Sequence, residues 1–412
     1  MQQVLKNILN SQLYAVSLYA RQIAGTLVMF IIARYLSVYD FGLFSSYKNI
    51  ATFCFLFANL GFTDYILVAS EANVKEVKLK ISLFLLNAIN MAILIVFAST
   101  IFNIESHLLF ILIIIRTFFD STFFALILPY FQATKTFNTI AKINIFYAIG
   151  NSIIAIVSYI FKLSLLKFLA LNIGLGLFNF IQCSYIAKIN YLLVFKHFKR
   201  FYKMLDKGIF AYVGATLAYF LYSQMPSLYV SIYQAKEQAA LYFSAFTIAA
   251  IIGLLISAQA QKMMPEMIKA PIEQVEKIIK KNLRFLIFIT SLLFLFMVIW
   301  GKSLLLILYG QDYYSNGYLI LLILMLGNIS IAEAAVYGTY ITASGNQKKK
   351  IPMQLEAISI TILGLFILHK FGIYGAAVSF LLTAIFISFR YTIFTLKLIQ
   401  SSIKENTWNS KI

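Results

Sequence analysis

Residues 13–36 read LYAVSLYARQIAGTLVMFIIARYL, more than twenty residues with Arg21 near the middle and no acid among them. At about 1.5 Å of rise per residue, a helix of this length crosses a hydrocarbon core of about 30 Å. A guanidinium at that depth costs on the order of 2.5–3.5 kcal/mol on insertion scales, so it is expected to face protein or water and not acyl chains. Ser17 and Gly25 lie one turn to either side of it, and Asn10 and Tyr14 extend the same face toward the N-terminus. The helix therefore has a lipid side and a polar side carrying an unbalanced positive charge.

The rest of the chain fits that setting. Of its 412 residues 61% are hydrophobic and only 12% charged, and the mean hydropathy is +0.85. That excludes an ordinary soluble domain and matches a polytopic membrane protein. A net charge of +19 would suggest nucleic acid in a soluble protein. Here the lysines collect in short loops, the bias of cytoplasmic loops, and no nucleic-acid partner is expected. Cys54 and Cys183 fall in apolar runs as packed thiols, with no disulfide framework. His107, His197 and His369 are scattered without ligand spacing, so neither a metal nor a cofactor is expected. The N-terminus lacks a short apolar core followed by a small-residue cleavage site, and the first run is expected to be a retained helix.

Hydrophobic windows predict about twelve spans. Six are 13–36, 42–62, 81–102, 108–130, 143–161 and 165–186; six more are 209–232, 240–259, 283–300, 318–343, 352–368 and 373–398. The expected architecture is an all-α polytopic protein with a six-helix N-terminal lobe (1–187) and a six-helix C-terminal lobe (208–412). Between them, 188–207 forms a basic, aromatic-rich amphipathic linker at the cytoplasmic surface. With the N-terminus cytoplasmic, Arg34, Lys162, Lys167, Lys236, Lys302 and Lys370 fall outside, and Arg21, Lys48, Arg116 and Arg390 fall within spans. The other 24 of the 34 basic residues are then cytoplasmic, which places both termini there. Outer loops are too short for an extramembrane domain. Met263–Lys281, with Glu273, Glu276, Lys277 and Lys280 behind Pro265 and Pro271, is expected to form a surface helix. The halves also echo each other: DFGLFSS at 40–46 answers QAALYFS at 238–244, and YFQATK at 130–135 answers YITASG at 340–345. This is the pattern of a duplicated unit that rocks about a central site.

Several landmarks carry a family resemblance. They are RYLSVYDFGLF at 34–44, LGFTD at 60–64, ALY at 240–242, LYGQDYYS at 308–315 and GIYGAA at 372–377. In their order and spacing the chain resembles the multidrug/oligosaccharidyl-lipid/polysaccharide exporter superfamily, and within it the polysaccharide repeat-unit (O-antigen type) flippases. The resemblance implies twelve helices in two pseudo-symmetric lobes around a central cavity, in a bacterial inner membrane. It implies translocation of undecaprenyl-pyrophosphate-linked oligosaccharide from the cytoplasmic to the periplasmic leaflet by alternating access. The partners implied are that lipid-linked oligosaccharide, membrane lipids, and the polymerase and other polysaccharide-assembly proteins, with the carrier itself a monomer. Peptidoglycan-precursor flippases usually have two further helices; the multidrug branch is nearer in length.

The charges inside spans supply the candidate site. Arg21 either snorkels as a structural arginine or offers a bidentate fork to a pyrophosphate. Lys48, with Thr52, Phe55 and Asn59 on its side, either reaches the near interface or joins Arg21. Arg116 and Asp120, four apart, can meet as a neutral pair; alternatively Asp120 releases Arg116 to the substrate or takes a proton. Arg21, Lys48, Arg116 and Ser17 are the candidate cationic cavity, and Asp120 and Glu333 the candidates for ion coupling or pairing. Glu333 stands without a charge partner beside Tyr337 and Tyr340, whereas Glu356 and Arg390 sit nearer span ends as boundary residues. Tyr219, Tyr222 and Gln224 on the seventh span, which also holds Pro226, are candidate sugar contacts or plain packing.

The sign of these charges favours an anionic cargo. The leading function is a flippase that changes no covalent bond, and no P-loop for direct ATP hydrolysis is present. The first alternative is a multidrug or organic-cation antiporter on the same fold. The second is a membrane polysaccharide polymerase or acyltransferase, which would need reactive side chains in a sizeable outer loop.

Overall fold

In the computed structural model the described residues are 2–59, 81, 85, 87–97, 104–123, 127, 130–131, 134, 136–189 and 209–409. Every regular element among them is helical. In chain order the helices begin with α1 (Gln2–Tyr35), α2 (Val38–Asn59), α3 (Asn87–Phe97) and α4 (His107–Thr117), the last running into a π-helical turn, Phe118–Phe123. Next come α5 (Phe137–Ile160), α6 (Leu165–Ala187), α7 (Ile209–Tyr233), α8 (Lys236–Ala249) and α9 (Ile251–Lys269). The series closes with α10 (Ile272–Leu308), the short α11 (Gln311–Tyr314), α12 (Asn316–Ala343), α13 (Lys350–Leu368) and α14 (Gly372–Asn409). The contacts divide the chain at Leu217/Ala218, inside α7, into unit 1 and unit 2. Most of the expected linker, 190–207, lies outside the described residues.

Five helical stretches are long and apolar enough to cross a bilayer: Phe137–Ile160, Leu165–Ala187, Gln274–Leu308, Asn316–Ala343 and Gln347–Ser401. Their surfaces suit lipid. Along α10, Phe285, Phe288, Leu292, Leu295, Phe296, Ile299 and Trp300 are exposed at three- and four-residue spacing. An apolar stripe of that size would promote aggregation in water and costs nothing against acyl chains.

In unit 1, α1 and α5 run side by side in one direction, from Arg21 against Asn144 to Tyr35 against Tyr159 (ring centroids 6.5 Å apart). The turn after α5 places Lys162 at φ 48°, and α6 folds back so that Phe146 meets Phe178 at 5.5 Å. Gly176 lets the π turn press against α6, because a Cβ there would lie 2.7 Å from the Cβ of Phe119.

In unit 2, α12 is the central element and packs against α8, α9, α10 and α14. Its core joins Met263 and Met267 of α9 to Val275 and Ile279 of α10, Tyr340 of α12 and Tyr391 and Ile399 of α14. That corrects the expected surface helix at Met263–Lys281. The segment is the end of α9 and the start of α10, broken at Ala270–Pro271; Met263, Met267, Val275 and Ile279 are buried while Glu276 and Lys280 pair outside (2.6 Å). The expected span 240–259 is likewise divided, at Ala250 between α8 and α9.

The α13–α14 hairpin turns at Gly372 (φ 56°) and brings Gly375 so near Leu368 that a Cβ would collide with the carbonyl oxygen. Backbone cannot move aside cheaply. Gly375→Ala is therefore expected to destabilise the detergent-solubilised protein by about 1–3 kcal/mol in thermal unfolding. Gly174→Ala, where nothing lies within 4 Å of the added Cβ, should leave the midpoint unchanged or raise it.

Candidate functional site

The charged residues picked out in the first half converge within unit 1, and the π turn explains how. Regular α-helix uses each carbonyl four residues on; a π turn shifts that pattern and leaves carbonyls open to other donors. Arg21 Nη2 donates to the main-chain oxygen of Asp120 at 2.9 Å, and Nη1 reaches Asn144 Oδ1 at 3.4 Å. The guanidinium lies over the Tyr147 ring, 4.2 Å from its centroid, so the ring's negative face adds to the hold. Asn144 is kept in place by donating to Ser17 Oγ at 3.2 Å, and both residues are fully buried. Arg21 thus faces protein, on the polar side of its helix.

The Asp120 carboxylate is shared. Oδ2 lies 3.2 Å from Arg116 Nε, one turn back, and Oδ1 accepts a hydrogen bond from the Tyr147 hydroxyl. Arg116 is 5% exposed, with its guanidinium near the Phe44 ring (5.4 Å) and the Phe168 ring (5.2 Å). Planar, weakly hydrated arginine tolerates such aromatic surroundings better than lysine would. Lys48 on α2 is half-buried, one turn on from Phe44, the ring that the Arg116 guanidinium approaches. Its hydrogen-bond partner among the described residues is the Met29 thioether, 3.6 Å away. Among the described residues of this cluster three cations, Arg21, Lys48 and Arg116, stand beside one carboxylate, Asp120, a surplus of two positive charges.

The other candidates belong to unit 2. Tyr219 is 40% exposed and meets buried Tyr222 edge-on at 5.5 Å. Gln224 Oε1 accepts from Ser227 Oγ at 3.3 Å. Glu333 accepts from Ser388 Oγ of α14 at 2.8 Å. Glu356 and Arg390 form a two-point ion pair between α13 and α14, at 2.8 and 2.9 Å.

Sequence reading passed over Asn144 and Tyr147, which position Arg21, and Met29, which receives Lys48. A signal for the first two was present: Asn144, Tyr147, Asn151 and Ser158 recur at helical spacing along one buried face of the fifth span. The π turn had none.

Breaking the Arg116–Asp120 pair from one side strands a buried charge. A fully buried pair loses about 3–5 kcal/mol this way, and less is expected here because Asp120 keeps a quarter of its side chain exposed. Asp120→Leu should lower the unfolding midpoint, and the Arg116→Met/Asp120→Leu double variant should recover most of the loss in the same assay.

The family described as "Polysaccharide biosynthesis protein" matches residues 31–316. No curated protein matches the chain in sequence. Among solved structures, the lipid II flippase MurJ in an inward closed conformation superposes with a TM-score of 0.72 at 16% identity, covering 93% of this chain and 87% of that one. A MOP superfamily transporter from Pyrococcus furiosus Vc1, described as having a binding pocket of reverse polarity that suggests a different function, gives 0.66 at 11% identity with 96% of each chain covered. MATE in the straight conformation gives 0.63 at 11% identity, with 97% and 96% covered. At these identities the likeness is one of fold.

Proposed function

The chain belongs to the polysaccharide biosynthesis protein family, and from that membership we propose that it is a flippase for lipid-linked oligosaccharide. The cargo is an undecaprenyl-pyrophosphate-linked repeat unit carried from the cytoplasmic to the periplasmic leaflet by alternating access. No covalent bond changes; the protein lowers the barrier to moving a charged, sugar-bearing headgroup through hydrocarbon. The chain sits in the bacterial inner membrane with both termini cytoplasmic.

The observation that carries this reading is the surplus of positive charge around Asp120. Three cations beside one carboxylate, among the described residues of the cluster, suit an anionic headgroup and repel an organic cation. Within the cluster, Arg21 supplies the charge nearest the centre of the first span, and Lys48 is the cation with the fewest hydrogen-bond partners among the described residues. Tyr219, Tyr222 and Gln224 are assigned to the glycan, whose sugars present apolar faces and hydroxyls, and Glu333 to coupling with an ion gradient.

Complementation tests the assignment. A strain lacking its O-unit flippase should regain surface polysaccharide with the wild-type chain. At equal membrane level Arg21→Ala and Lys48→Gln should each reduce recovery at least tenfold. The rival antiporter reading predicts the opposite pattern: loss of cationic-dye export in Glu333→Gln or Asp120→Asn, with Arg21→Ala unaffected.

A further inference from the structure

Helix α10 has 37 residues, about 55 Å at 1.5 Å each, and so outruns a hydrocarbon core of about 30 Å. Val275, Ile279 and Leu286 turn into the core of unit 2. On the opposite face Lys277, Lys281, Arg284, Phe288, Leu292 and Leu295 follow one another at three- and four-residue steps, and all six are exposed. Positions three and four apart on a helix lie one above the other, so these side chains form a nearly straight stripe. Its chemistry changes within one turn: basic as far as Arg284, apolar from Phe288 (69% exposed) onward. The Glu276 carboxylate is committed to Lys280 on the flank, at 2.6 Å, and leaves the charge of the stripe in place. Exposed apolar rings suit acyl chains and exposed cations suit headgroups. The switch therefore marks where α10 passes from one to the other.

We propose that Lys281 and Arg284 hold the phosphodiester of an anionic phospholipid whose acyl chains lie along Phe288, Leu292 and Leu295. The order along the stripe is the order along such a lipid, head first and then tails. A guanidinium offers two parallel donors to a phosphate, and a lysine one turn away adds a second charge. Phosphatidylcholine carries the same phosphate with its own ammonium alongside, which the two cations repel; phosphatidylglycerol has no such group. Occupancy fixes the depth at which α10 enters the bilayer. The site belongs to unit 2 alone and is independent of what the carrier transports.

A fluorophore on the stripe tests this. In the full-length protein the native tryptophans are removed by Trp300→Phe and Trp408→Phe, and Phe288→Trp supplies the one emitter. This parent is reconstituted in phosphatidylcholine vesicles that contain either brominated phosphatidylglycerol or, at equal mole fraction, brominated phosphatidylcholine. Quenching requires a brominated chain against the ring, so it reports which lipid occupies the stripe. Phosphatidylglycerol is expected to bind about threefold more tightly than phosphatidylcholine there. Adding Lys281→Gln and Arg284→Gln should bring the ratio to one, whereas the exchange Lys281→Arg with Arg284→Lys should keep the preference. Equal quenching by the two lipids in the parent, or an undiminished preference in the double Gln variant, would overturn the site. Soluble glycerol phosphate, which has the headgroup without the tails, should leave the preference intact; its loss on that addition would assign the two cations to a free phosphate and overturn the lipid.

Discussion

A charge inside hydrocarbon must find a partner, and in unit 1 one carboxylate is asked to serve three cations. Asp120 meets that demand from both ends of the residue. Its side chain faces Arg116 and Tyr147, while its main-chain oxygen, in the π turn, receives Arg21. Much of the unit's internal arrangement follows from this shared residue. Gly176 admits the turn against α6, Ser17 and Asn144 fix the angle of Arg21, and the rings of Tyr147, Phe44 and Phe168 flank the guanidinium groups. Among the described residues the partnership is incomplete by two charges, and that deficit is the basis of the proposed anionic cargo.

The division of labour among the cations is the main change that the structure brings. By sequence Arg21 is the natural contact for a phosphate, being central in its span and without a nearby acid. In the folded chain its guanidinium is engaged by a carbonyl, an amide and an aromatic face. Lys48 and Arg116 have donors to spare. In the proposed function Arg21 is then the fixed charge of the cluster, and Lys48 and Arg116 are the cations with donors left for a cargo. Unit 2 follows a different rule: its membrane acids are satisfied locally, Glu333 by a hydroxyl and Glu356 by Arg390.

The sequence made the spans and the charges within them visible, because both depend on composition over a window about as long as the bilayer is thick. It revealed the Arg116–Asp120 pair as well, since four-residue spacing on a helix dictates contact. What it hid were relations set by tertiary packing. The Glu356–Arg390 pair joins residues on separate helices, and nothing near either one announces the other. The π turn at Phe118–Phe123 depends on i→i+5 bonding that no residue type requires. The break at Ala250 falls where there is neither proline nor glycine. Met263–Lys281 misled because its charges alternate like those of a surface helix, while Met263, Met267, Val275 and Ile279 face a core built from distant segments.

A negative headgroup, and not the glycan alone, is what the membrane-embedded cluster is proposed to recognise. The most direct measurement compares transbilayer movement in proteoliposomes of one oligosaccharide on two carriers, a polyprenyl pyrophosphate and an uncharged polyprenol. The account predicts movement of the charged molecule only. Equal movement of both would contradict it.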